Sequence, residues 1–196
     1  MPDVSFAPLA LYAFITTITP GPNNLMLASS GLTFGFRRTF PHIVGILSGC
    51  FALIGLTGLG LGAVFEAEPR LQVGLKIAGA GYLLYLAWKL WRAGELRGSG
   101  GAPLSVWSAA AFQFVNPKAL VMAITAIAAF AAPGEGFAWR VFAVGAVFTL
   151  VGLPCISSWA LFGAGVQKVL REPAAILWFN RVMAGLTALT AVMIVR

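Results

Sequence analysis

Long apolar runs alternate with short clusters of glycine, proline and charge along the whole chain. The runs cover residues 5–31, 40–65, 71–92, 105–132, 138–164 and 174–195. As a helix rising 1.5 Å per residue, each is long enough to cross a hydrocarbon layer of about 30 Å. Between them lie Phe34-Gly35-Phe36-Arg37-Arg38, Glu66-Ala67-Glu68-Pro69-Arg70, Gly98-Ser99-Gly100-Gly101, Ala132-Pro133-Gly134-Glu135-Gly136 and the stretch from Gln167 to Pro173. These are compositions of turns and helix ends. The pattern predicts an all-α membrane protein of six transmembrane helices. The third connector, around Arg97–Pro103, reads as a hinge between a first three-helix half, residues 1–97, and a second, residues 104–196. Three spans per half turn the two halves upside down relative to each other, as an inverted repeat.

Composition agrees with a lipid environment. The 196 residues are 59% hydrophobic and 10% charged, with mean hydropathy +0.89, whereas soluble domains carry about 25% charged residues. A net charge of +7 would suggest nucleic acid in a soluble protein. Here the basic residues are spread thinly and gather at the ends of apolar runs, which suits membrane anchoring and excludes a nucleic-acid patch. Seven of them (Arg37, Arg38, Lys89, Arg92, Arg97, Lys168 and Arg171) fall at odd connectors, against Arg70, Arg140 and Arg196 on the other side. The excess predicts cytoplasmic odd connectors and periplasmic termini. Trp88, Trp91, Trp107 and Trp178 cluster near the cytoplasmic boundary and Trp139 near the other, as an aromatic belt. No basic n-region precedes the first run, so no removable leader is expected. Cys50 and Cys155 lie inside apolar runs and read as buried free thiols.

Two runs are interrupted in the middle. The first holds Thr19-Pro20-Gly21-Pro22-Asn23-Asn24 and the fourth holds Gln113-Phe114-Val115-Asn116-Pro117-Lys118. Two prolines around a glycine do not fit an unbroken helix, because each proline lacks an N–H and clashes with the preceding turn. Asn116-Pro117 reads as a helix start, with asparagine as N-cap and proline at the first position, and Thr19-Pro20 reads the same way. A helix starting in mid-membrane aims its positive end at the midplane. Interrupted spans at matching places in two halves point to a transporter's binding site. Faint self-similarity supports the halves. Cys50, Gly58-Leu59-Gly60 and Lys76 recur as Cys155, Gly163-Ala164-Gly165 and Arg181.

The first of these motifs closely resembles the signature of the LysE/RhtB amino-acid exporters, in length and in place. The resemblance covers nearly the whole chain, through Gly35-Phe36-Arg37-Arg38, Gly45 to Gly49, Gly81 to Lys89 and Phe112 to Lys118. Ile18 to Leu25, Leu86-Ala87-Trp88-Lys89 and Gln113-Phe114-Val115-Asn116 look most like the cysteine/O-acetylserine exporter branch. The resemblance implies efflux of a small amino acid across a bacterial inner membrane, driven by the proton motive force.

The charge inventory narrows the cargo. Asp3, Glu66, Glu68, Glu95, Glu135 and Glu172 all lie outside the predicted spans, so no carboxylate awaits a ligand ammonium at the midplane. Freed carbonyls and the amides of Asn23, Asn24, Gln113 and Asn116 are the remaining acceptors. A ligand carboxylate is better served, by Lys118 and by two helix N-termini. This favours small neutral amino acids or derivatives, of cysteine/O-acetylserine or threonine/homoserine type, over lysine or arginine, whose second charge would go unpaired. The expected binding residues are Thr19, Pro20, Gly21, Pro22, Asn23, Asn24, Gln113, Asn116, Pro117 and Lys118. Lys76, Arg181 and His42 are gate or coupling candidates, and snorkelling or polar packing explains them as readily.

Gly45-x-x-x-Gly49 and Gly58-x-x-x-Gly62 suit close helix packing, within the bundle or between two copies in a homodimer. No cofactor motif and no metal-ligand cluster is present, and an intramembrane enzyme lacks its nucleophile and base. A structural or assembly subunit of a membrane complex, and an exporter of another solute such as a metal ion, are the remaining alternatives. The partners expected are the amino acid, protons and the lipid bilayer.

Overall fold

The computed structural model of the chain describes residues 4–61, 67–93, 102–169 and 172–195. Among these residues every regular element is helical. The elements are α1 (Phe6–Ile18), α2 (Pro22–Phe34), α3 (Phe36–Leu56), α4 (Pro69–Ala93), α5 (Val106–Gln113), α6 (Pro117–Phe130), α7 (Phe137–Val169) and α8 (Pro173–Val195). A single π turn, Thr57–Leu61, follows α3. Each apolar run thus contains helix, and the first and fourth contain two. Segments Phe36–Gly60, Phe137–Gln167 and Ala174–Ile194 are long and apolar enough to cross a membrane, and α5 with α6, bent by 61°, make a fourth by the same measure.

Helix ends are set by residue chemistry. Pro22, Pro69, Pro117 and Pro173 each open a helix, where a missing N–H costs nothing because no carbonyl precedes it. Ser105 caps α5 by accepting from the Ser108 N–H, at 3.2 Å. Asn116 caps α6, its Oδ1 3.1 Å from the Lys118 N–H. The α6–α7 turn is tied by Arg140, which donates to the Ala132 and Glu135 carbonyls at 2.9 and 2.8 Å.

Two expectations are corrected. Thr19-Pro20 does not begin a helix. Thr19 is extended, with ψ of 146°, as the residue before a proline prefers, and Gly21 is fully extended as well. The helix therefore restarts at Pro22. The first connector is also shorter than predicted. Only Gly35, at φ 79°, interrupts the chain, and Phe36-Arg37-Arg38 form the first turn of α3. A glycine tolerates that positive φ without Cβ strain, so one residue is enough for the reversal. The hinge around Arg97–Pro103 lies mostly outside the described residues, as do Arg171 and Arg196.

Packing pairs helices from opposite ends of the sequence. α2 lies along α7, α4 along α8, α3 along both α5 and α7, and α1 along α7. Lipid offers no hydrophobic drive for such pairing, so it depends on close fit. At the α2–α7 crossing, a Cβ on Gly31 would strike the Ala160 carbonyl, and one on Gly163 would strike the Ala28 carbonyl. The α3–α5 crossing repeats the device, with Gly45 against Val106 and Gly49 against Ala110. The Gly45-x-x-x-Gly49 pattern thus serves packing within one chain. Gly62, from the second such pattern, lies outside the described residues.

Three apolar clusters form the interior. One joins Leu9, Ala13, Leu53, Ala123, Val144 and Phe148. A second joins Met26, Leu83, Leu86, Phe112 and Ala191, and a third joins Leu27, Ile43, Ile46, Ala109 and Ala160. The outer surface is apolar too, with Leu84, Trp107, Leu150, Phe162 and Leu189 exposed. Lipid, rather than water, suits that face.

Candidate functional site

The break between α1 and α2 leaves a row of carbonyls without helical partners, and in hydrocarbon each would be costly. Every one from Ile15 to Gly21 has a donor. The Thr19 N–H donates to the Ile15 carbonyl at 3.3 Å, and the Thr19 hydroxyl to that of Thr16 at 3.1 Å. Asn24 Nδ2 serves the Thr17 and Thr19 carbonyls, at 2.8 Å each. Trp159 Nε1, from α7, serves Ile18 at 3.0 Å. Lys118 Nζ, from α6, donates to the Thr19 carbonyl and hydroxyl at 2.9 Å each and to the Pro20 carbonyl at 3.3 Å. The Gly21 carbonyl accepts from Leu25 N–H, at 3.0 Å, in the first turn of α2.

The second break is tighter. Phe114 and Val115 N–H groups donate back three residues, to Ala111 and Phe112, at 3.2 and 3.1 Å. Asn116 and Pro117 then restart the helix as the sequence predicts. Gln113 Nε2 donates to the Ala109 carbonyl at 2.8 Å.

The two breaks meet. Asn23 Nδ2 donates to Gln113 Oε1 at 2.8 Å, and Gln113 Nε2 donates to Asn23 Oδ1 at 3.3 Å. Cys50, on α3, directs its thiol at the same Gln113 oxygen, at 3.5 Å. Around this junction lies a cavity of about 50 Å³, lined by Gly21, Pro22, Asn23, Asn24, Cys50, Asn116 and Lys118 together with Thr16, Thr17 and apolar neighbours. Nine of the ten residues expected to bind are thus in or beside one small space, joined by Thr19 and Pro20 through Lys118 and by Gln113 through Asn23. Pro117 opens α6 behind Lys118. No side chain caps the N-terminus of α2, so its amides and the positive end of its dipole are open to an anion.

The gate candidates are elsewhere. Lys76 is exposed on α4. Arg181 lies on α8 with its guanidinium carbon 5.0 Å from the Trp91 ring centre. His42 is buried in α3, away from the breaks, and lines a different cavity.

Sequence reading missed a buried polar network one helical stretch beyond the junction. Ser29 donates to Asn180 Oδ1, and Asn180 Nδ2 donates to Thr33 Oγ1 at 3.3 Å. Asn180 is completely buried. An asparagine inside the last apolar run was the available signal, since an unpaired amide in lipid is rare. Among the described residues no group of three His, Cys, Asp or Glu side chains could hold a metal ion. Cys50 and Cys155 are free thiols.

The sequence is similar to those of known proteins. A family model described as LysE type translocator matches residues 14–196. The cysteine/O-acetylserine efflux protein of Escherichia coli (strain K12) is 33% identical over 164 residues, which is 82% of this chain and 83% of that protein. The proteins so named from Shigella sonnei (strain Ss046) and from Escherichia coli O6:K15:H31 (strain 536 / UPEC) match with the same identity and coverage. No solved structure matches the chain.

Proposed function

Because this chain belongs to the LysE type translocator family, we propose that it is a secondary transporter that exports small neutral amino acids across the bacterial inner membrane, driven by the proton motive force. Substrates of cysteine/O-acetylserine or threonine/homoserine type suit the site. The reading is carried by the junction of the two breaks, where Lys118 reaches Thr19 and Asn23 pairs with Gln113.

Six spans in two inverted halves account for the helix pattern. In each half the second piece of the broken helix and the last helix begin with proline, at Pro22 and Pro69 and again at Pro117 and Pro173. The packing has the same symmetry, since α1 lies on α7 as α5 lies on α3. The excess of basic residues at the odd connectors supports a periplasmic place for both termini.

At the junction, the substrate carboxylate takes the uncapped N-terminus of α2, where N–H groups and dipole favour it. The ammonium takes the α1-end carbonyls that Lys118 contacts in this structure. All three Lys118 donors are engaged there, so substrate and lysine compete for the same oxygens. A cavity of about 50 Å³ holds a few waters and is too small for an amino acid, so this state is closed. Among the described residues no Asp or Glu lines it, which disfavours a dibasic substrate with a second charge to pair.

The test is efflux from proteoliposomes against a panel of amino acids, with and without an imposed pH gradient. Cysteine, O-acetylserine, threonine or homoserine should move, faster with the gradient. Specific transport of lysine or arginine, or no transport of any neutral amino acid, would refute the proposal.

A further inference from the structure

A second cavity, of about 250 Å³, lies farther along α2, where that helix meets the start of α3, the end of α4 and the residues leading into α5. Met26, Phe34, Leu86 and Leu104 supply apolar walls, and Ser29, Ser30, His42 and Lys89 supply the polar lining. His42 is 1% exposed, and neither ring nitrogen has a hydrogen-bond partner. A buried imidazole without partners is destabilising unless something in the cavity supplies them.

The serine hydroxyls add a direction. Ser29 spends its hydrogen on Asn180 Oδ1. Thr39 spends its own on the Gly35 carbonyl at 2.9 Å, so Ser30 is the donor in the 3.0 Å Ser30–Thr39 contact. Both serine oxygens therefore keep only lone pairs for a ligand. The floor of the cavity accepts hydrogen bonds, and an uncharged imidazole at His42 would offer one acceptor and one donor nitrogen. Lys89 is exposed at the margin, with Nζ 5.6 Å from the Tyr85 ring centre. Acceptors within and a cation at the rim fit a small zwitterion, its ammonium on Ser29, Ser30 and His42 and its carboxylate towards Lys89. The described lining holds no Asp or Glu.

The cavity is aligned with the junction. Asn23, Met26 and Ser30 share one face of α2, at i, i+3 and i+7, and span about 10 Å along its axis. Asn23 lines the first cavity and Ser30 the second. Met26 stands between them, buried beside Phe112. The second cavity is at the end of the bundle that carries Arg37, Arg38 and Arg92, the end proposed as cytoplasmic.

We infer that this cavity is a loading station, where the exported amino acid binds before it passes Met26 to the junction of the breaks. The inference rests on the exporter reading.

The full chain in proteoliposomes, with Leu90→Cys as reporter at the cavity wall, tests it. Alkylation of that cysteine by a small thiol reagent is followed by peptide mass spectrometry. O-acetylserine should slow alkylation at least fivefold, lysine should not, and the protection should persist when Asn116→Ala is added to disable the junction. An unchanged rate in vesicles that transport O-acetylserine would overturn the loading station and leave the exporter reading intact. Protection that vanishes with Asn116→Ala would also overturn it, because the effect would then come from the junction. Absence of all amino-acid transport would overturn both. As a second measurement, His42→Ala should raise KM for export at least tenfold with kcat little changed, and His42→Gln should restore most of the affinity. An unchanged KM in folded His42→Ala protein would count against the station.

Discussion

Lys118 Nζ lies 2.9 Å from both the carbonyl and the hydroxyl oxygen of Thr19, two residues that belong to different halves of the chain. The ammonium sits at the C-terminal end of α1, where the helix dipole is negative, and satisfies carbonyls that the Pro20 and Pro22 break would otherwise leave bare. One side chain thereby ties the two breaks together. We predict that Lys118→Ala lowers transport at least tenfold. It should also lower the thermal stability, because the Thr19 and Pro20 oxygens lose their lysine donor. Thermal unfolding in detergent, alongside transport assays, checks both, and wild-type rates would remove Lys118 from the site.

Asn23 and Gln113 form the other bridge. Their reciprocal amide bonds join α2 to α5. A double-mutant cycle with Asn23→Ala and Gln113→Ala should give a coupling of about 0.5–2 kcal/mol in unfolding free energy. Additive effects would mean that the pair contributes no stability of its own.

Much of this was legible in the sequence, and the illegible part has a physical cause. Apolar runs located the helices because lipid leaves the backbone no other way to satisfy itself. Asn116-Pro117 announced a helix start because cap and proline act locally. Thr19-Pro20 misled because Pro20 and Pro22 both offer a first position, and the chain used the later one. Spacing revealed the two breaks but not that Lys118 of one serves the carbonyls of the other, since that contact joins residues 99 positions apart. Ser29 and Asn180 were overlooked for the same reason, being separated by 151 positions.

Gly31 and Gly163 offer a sharp steric test. A Cβ at either meets backbone of the facing helix, whereas one on Gly74 meets nothing within 4 Å. Gly31→Val should therefore cost about 3 kcal/mol or more and abolish a monodisperse peak in size-exclusion chromatography. Gly74→Ala should leave the profile unchanged. Equal behaviour of the two would contradict the backbone contact between α2 and α7.

Orientation is open to direct labelling. Ser5→Cys, before α1, should react with a membrane-impermeant maleimide in intact spheroplasts. Ser105→Cys, at the start of α5, should react only after permeabilisation. The reverse result would invert the proposed topology and exchange the loading side for the release side.

The glycine contacts also constrain how the molecule changes shape. α2 and α7 touch backbone to backbone, as do α3 and α5, and each of these pairs takes one helix from either half. A rocking motion of one sequence half against the other would tear both seams. α4 and α8 are held as well, since a Cβ on Gly79 would strike the Val115 carbonyl and Asn180 bonds to Ser29 and Thr33 of α2. A change of shape that kept these contacts would have to be a shear between bodies that each combine helices from both halves of the chain.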